Sequence, residues 1–169
     1  MRSSLPLAGK RIGVARLIAN VVVVVAIAGA LDATIRSFGW NQPRGEVWPA
    51  FAPPGAAIGA IWVALFACMA AARYVVARSG SREAAGHARA IVALMVVCLA
   101  YPIYTHVIHG RLTELVGNVV SFALATTIVF RVATDSTVAS VLIALVSAWI
   151  AFATVLVFAL VTLNGWTTA

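Results

Sequence analysis

The sequence predicts an all-α membrane protein, a single domain over residues 1–169 built as a bundle of five transmembrane helices. Composition is the first reason: 63% of the 169 residues are hydrophobic, 10% are charged, and the mean hydropathy is +1.02. A soluble domain of this size needs far more polar surface. The second reason is pattern, because charges and turn residues cut the chain into five apolar runs, each near the roughly 20 residues that cross the hydrocarbon core as a helix. Third, strands cannot cross singly, since their backbone groups would be unsatisfied in lipid. The runs are also too long and too evenly apolar for the strands of a barrel.

The first run extends from about Ile12 to Leu31 and is expected to end before Asp32. The second covers Gly55 to about Val76, the third about Ala88 to Val107, and the fourth about Leu112 to Phe130. The fifth, Ser136 to Leu163, carries no charge. Arg16, Arg73 and Arg89 lie near run ends, where a long side chain can snorkel to the interface. Short connections make the third, fourth and fifth helices antiparallel neighbours. A rival reading of the first run is a secretory signal: a basic start, a Val-rich centre and Ala28-Gly29-Ala30 resemble a cleavable segment, whose loss would leave four spans.

The net charge of +7 does not point to nucleic acid. The basic residues form no stripe; they flank the apolar runs, where they set orientation and meet anionic headgroups. Arg2, Lys10, Arg11, Arg16, Arg73, Arg78, Arg82, Arg89 and Arg131 would share one side, against Arg36, Arg44 and Arg111 on the other. That imbalance puts the amino terminus in the cytoplasm of a bacterial-type inner membrane and the carboxyl terminus outside. Cys68 and Cys98 lie inside apolar runs and read as small hydrophobes, not as a disulfide.

Candidate binding residues gather in the outer halves of the helices. Pro53-Pro54-Gly55 opens the second helix, where a missing N–H costs nothing. Ile58, Trp62 and Phe66 recur every four residues and share one face. Gly55 and Gly59 form a small-xxx-small pair that permits close helix approach. Trp149 and Ala153 share a face of the fifth helix. Tyr101, Tyr104 and the intramembrane Asn118 lie at the same depth by span order. Asn20 and Asn118, being polar within spans, are expected to hydrogen-bond another helix or, for Asn118, a ligand. Trp40 and Trp48 suit a loop lid and an interfacial belt equally well, whereas Trp166 suits the belt. Arg111 with Glu114, and Asp32 with Arg36, read as interfacial pairs. His106 and His109 could share a face as metal ligands, but a solvated helix end is the simpler reading.

Pro53, Pro54, Gly55, Ile58, Gly59, Trp62, Leu65 and Phe66 stand in the order of a motif of the translocator protein family, the tryptophan-rich sensory proteins (TspO/MBR). The family's last-helix W-x-x-F-A motif is matched by Trp149, Phe152 and Ala153. The five-span plan matches too, so the sequence resembles that family over almost its whole length. It departs in having Phe51 where the family often has a tryptophan, and Cys98 to Tyr104 in place of an asparagine-bearing third helix. The resemblance implies a membrane receptor that binds protoporphyrin, haem-like tetrapyrroles, sterol-like lipids or other flat hydrophobic small molecules between the helices, with no obligatory cofactor, and often as a homodimer. Trp62, Trp149, Phe152 and Ala153 would wall that site. The cationic or imidazole groups of Arg36, Arg44, Arg111, His106 and His109 lie on the correct side to meet ligand carboxylates.

Two other classes are carried forward: a small membrane transporter, and a membrane enzyme that degrades bound porphyrin. Against the first, no charge lies near a span centre. Against the second, there is no Ser-His-Asp order, phosphate loop, dinucleotide glycine pattern or HExxH.

Overall fold

The protein is described by a computed structural model over residues 6–40, 45–108 and 110–166, with backbone alone for 6–12. It holds five helices: α1 (Pro6–Ser37), α2 (Gly55–Ala77), α3 (Ala84–Val107), α4 (Arg111–Ala133) and α5 (Thr137–Asn164). All five are long and apolar enough to cross a membrane, and no strand occurs among the described residues. His109 and Arg44, two of the groups expected to meet ligand carboxylates, lie outside the described residues.

α1 corrects the expected boundary. It does not end before Asp32 but runs on to Ser37. Arg36 Nε and Nη2 both donate to Asp32 Oδ2, at 2.8 and 2.6 Å, so the two charges one turn apart neutralise each other on the helix surface. Thr34 returns its hydroxyl to the Ala30 carbonyl at 2.8 Å, which also suits a continued helix. The start of α2 follows proline chemistry: the Pro54 carbonyl accepts from the Ala57 and Ile58 N–H groups at 2.8 and 3.1 Å. α5 begins on a capping serine, with Ser136 Oγ accepting from the Ala139 N–H at 3.3 Å. It ends at Gly165, whose φ of +84° is the left-handed conformation that glycine adopts without strain.

Successive helices run antiparallel. α2, α3, α4 and α5 pack around one another, and α1 packs along α2 and touches α3. The filling of this bundle is uneven along its axis. The large side chains with almost no exposure are Val76 and Met69 of α2, Ile91 and Leu94 of α3, Ile128 and Val132 of α4, and Ile143, Val146 and Ile150 of α5. All lie in the half nearest the amino terminus. Lipid tails are as apolar as these residues, so the association draws on close packing and interhelical hydrogen bonds. Thr126 and Ser147 hydroxyls meet at 2.8 Å between α4 and α5, and Ser140 donates to the Val129 carbonyl at 3.0 Å. Asn20 bridges to α2 by donating to the Ala70 carbonyl at 2.8 Å, the role expected for an intramembrane asparagine.

At the amino-terminal end a buried His87 joins α3 to the turn before α5. Its Nδ1 lies 2.6 Å from Asp135 Oδ2 and its Nε2 lies 3.5 Å from Glu83. Asp135, in the α4–α5 turn, has a side chain that is 1% exposed. Burial opposes its ionisation, but hydrogen bonds from His87 and Ser81 and the attraction of His87 outweigh it and hold the carboxyl below its ordinary range.

A carboxyl with a lowered native pKa contributes stability above its unfolded value and loses it as pH falls through the native one. Thermal unfolding in detergent should therefore show Asp135→Asn less stable than the parent at neutral pH, with the gap closing as pH drops below about 4. A gap that stays constant into acid would contradict this.

Candidate functional site

The far half of the bundle, where the large filled core stops, encloses a cavity of about 390 Å³. That volume suits a small-molecule cleft, for which about 300–1,000 Å³ is usual. All five helices and the α1–α2 connection contribute to its wall. From α2 come Ile58, Trp62 and Phe66, the four-residue stripe; from α5 come Trp149, Phe152 and Ala153. Trp62 lies tilted over Phe66 with ring centroids 6.1 Å apart, and Trp149 over Phe152 at 5.3 Å. The two indoles thus give the cavity aromatic walls on α2 and α5.

Tyr101 of α3 and Asn118 of α4 also line it. Asn118 is 4% exposed and sits beside Tyr101, with its amide nitrogen left without a well-formed hydrogen bond. The buried Trp149 indole nitrogen likewise has no partner. A buried N–H without an acceptor is costly, so these donors suit a ligand that brings an acceptor oxygen or nitrogen. Pro102, inside α3, has no N–H, which removes the helical donor to the Cys98 carbonyl; both residues line the cavity.

Three of the expected site residues are not on the wall. Pro53 and Pro54 lie in the approach to α2 and shape the connection instead. Tyr104 packs its ring edge against Tyr101 at 5.5 Å and lays its hydroxyl on α4 at Gly117, where a side chain would collide with it. Gly59, of the small-xxx-small pair, allows the Asp32–Arg36 pair of α1 to lie against α2: an added Cβ would stand 2.8 Å from Arg36 Nη2. Gly55 has open space around it.

The α1–α2 connection closes the cavity end. Trp40 stacks on His106 of α3 at 4.2 Å and 13° between planes, and Trp48 also lines the cavity. Phe51 meets Phe152 edge-on at 6.2 Å. The Val47 backbone is held on both sides by Asn164, whose Oδ1 accepts at 2.8 Å and whose Nδ2 donates at 2.9 Å. Trp40 and Trp48 therefore belong to the cavity wall rather than to an interfacial belt alone.

Charge at this end differs from the expected cationic rim. Arg111 is not an interfacial residue free for a ligand; it is 5% exposed, ion-paired to Glu46 of the connection, and bonded through Nη1 to Glu114 Oε2 at 2.7 Å. Arg36 is occupied by Asp32. Asp32, Glu46 and Glu114 line the cavity with Arg111, so among the described residues three carboxylates face the guanidiniums of Arg36 and Arg111. Glu46 was missed by the sequence reading, although a lone acid between apolar residues and tryptophans does signal a need for a cation. Among the described residues no group of three or more His, Cys, Asp or Glu is placed to hold a metal ion.

The profile of the TspO/MBR family matches residues 14–163, which reach from the first span into the last turn of the fifth. No curated protein matches the chain.

Removing one member of a buried ion cluster leaves the others uncompensated. Arg111→Gln should lower stability in detergent by about 3 kcal/mol. Arg131→Gln, on an exposed residue at the other end, should change it by less than about 0.5 kcal/mol. Comparable unfolding temperatures for the two variants would refute the cluster's role.

Proposed function

The chain belongs to the TspO/MBR family, and on that premise we propose that it is a membrane receptor for a flat hydrophobic ligand, a tetrapyrrole in the first instance, which it senses, buffers or passes on. Family membership supports a porphyrin- or sterol-binding or sensing role in general terms. The observation that carries the finer reading is the aromatic cavity between Trp62 and Trp149, with Trp40 and Trp48 also on its wall. Planar rings gain from offset stacking on such walls, and the apolar remainder of the lining excludes water.

The ring would enter with its hydrophobic body between the α2 and α5 indoles. An acceptor atom on its edge would take up the unpartnered Trp149 and Asn118 donors. Ala153 would leave room beside Trp149, as a larger side chain there would not. The described part of the rim, with Asp32, Glu46 and Glu114 beside Arg36 and Arg111, gives the edge groups a preference. A dianionic porphyrin brings two more carboxylates beside Asp32, Glu46 and Glu114, where Arg36 and Arg111 are already paired, whereas a neutral edge meets no such repulsion. The protein would act in a bacterial-type inner membrane with its amino terminus in the cytoplasm, as the arginine distribution suggests.

The test is a titration of the purified protein in detergent with protoporphyrin and with its dimethyl ester, following tryptophan fluorescence and the ligand's absorption band. Saturable quenching is expected, with the ester bound several-fold more tightly than the free acid. Trp62→Ala and Trp149→Ala should each weaken binding about tenfold, the loss of one stacking contact. Unchanged affinity in a folded double variant would overturn the site. A free acid that binds more tightly than the ester would overturn the charge preference alone.

A further inference from the structure

The same arginines that orient the chain do something more specific at the seam between α1 and α2. We propose that this seam, at the amino-terminal end of the bundle, is a binding site for a phosphate-bearing anion, the headgroup of an anionic phospholipid or free phosphate.

Three arginines lie along it. Arg78 lies over the Tyr74 ring, 5.5 Å from its centroid, and donates to the Tyr74 hydroxyl at 3.2 Å. That hydroxyl in turn donates to the Gly13 carbonyl of α1. Two turns along α1, Asn20 accepts from Arg73 Nη2 at 2.6 Å. Arg16 is three residues after Gly13 and four before Asn20, so it shares their helix face and falls between the two contacts. Arg73 and Arg78 are thus fixed in place by neutral partners, with Arg16 beside them.

No carboxylate of the chain answers these charges. The sequence has five acids, and every one is engaged elsewhere. Asp32 is held by Arg36, Glu46 and Glu114 by Arg111, and Asp135 by His87, while the exposed Glu83 lies 3.5 Å from His87. Three cations in one seam without a counter-charge repel one another, the more so where lipid lowers the dielectric. An anion from outside relieves that repulsion. The planar guanidinium fork matches phosphate oxygens in pairs, and Arg16 and Arg78 are exposed enough to reach one. A neutral carbonyl or hydroxyl ligand would leave the charge unbalanced. A diffuse attraction of basic residues to an anionic leaflet would act on every arginine at this end alike, including Arg82 and Arg131.

The experiment compares thermal unfolding of the full chain in phosphatidylcholine nanodiscs with graded phosphatidylglycerol, together with native mass spectrometry of retained lipid. Phosphatidylglycerol is expected to raise the unfolding temperature saturably and to be retained on the protein. The double variant Arg16→Gln, Arg78→Gln should weaken that response about tenfold, while Arg82→Gln, Arg131→Gln should leave it intact. Millimolar inorganic phosphate in phosphatidylcholine alone is the second arm. A rise there that the seam variant abolishes assigns the site to free phosphate, and a rise with phosphatidylglycerol alone assigns it to the headgroup. Equal losses in both double variants, or no response to either anion, would overturn the proposal.

Discussion

Arg111 stands at the first turn of α4 and reaches two carboxylates at once, one on its own helix and one on the connection that precedes α2. A guanidinium buried at a helix start cannot remain there unpaired, so the position of Glu46 is dictated by it. Once Glu46 is held, Val47 falls to Asn164, Trp48 comes to the cavity wall and Phe51 comes to Phe152. The connection is thereby pinned to α4 and α5, and Trp40 adds a contact to α3. The roof of the cavity is an electrostatic consequence as much as a hydrophobic one.

Below that roof the bundle divides its labour along its length. Branched and flexible apolar side chains of α2 to α5 fill the amino-terminal half, and hydroxyl pairs between α4 and α5 add direction to the packing. The other half carries the large rings, whose stiffness keeps them from collapsing into the space between them. Donors left unsatisfied in that space, on Trp149 and Asn118, are the sort of local cost that a binding site tolerates and a plain core does not.

What could be read from the chain and what could not follow from the range of each interaction. The five helices were legible because they rest on composition and length. The stripe Ile58, Trp62, Phe66 and the cluster Trp149, Phe152, Ala153 were legible because helical spacing alone puts their members on one face, and the structure brings both stripes to one cavity. The end of α1 was misread because the end of the apolar run was taken for the end of the helix, whereas the Asp32–Arg36 pair, one turn apart, continues it. Tyr104 was grouped with Tyr101 by depth, which does not fix where a side chain reaches: Tyr101 lines the cavity and the Tyr104 hydroxyl lies on Gly117. Glu46 and Arg111 lie too far apart in sequence for any local pattern to pair them. The second carboxylate on Arg111 was not foreseen for that reason.

The uneven filling of the bundle has a consequence for how guests of different outline are accommodated. The helix axes are pinned by interlocked Met69, Ile91, Ile128 and Ile143 at one end, and such close packing resists continuous deformation. Adjustment is then left to rotamers of the half-buried rings and to small shifts of the connecting strap. The scaffold behaves as a clamped tuning fork, stiff at its base, with compliance concentrated at the tips.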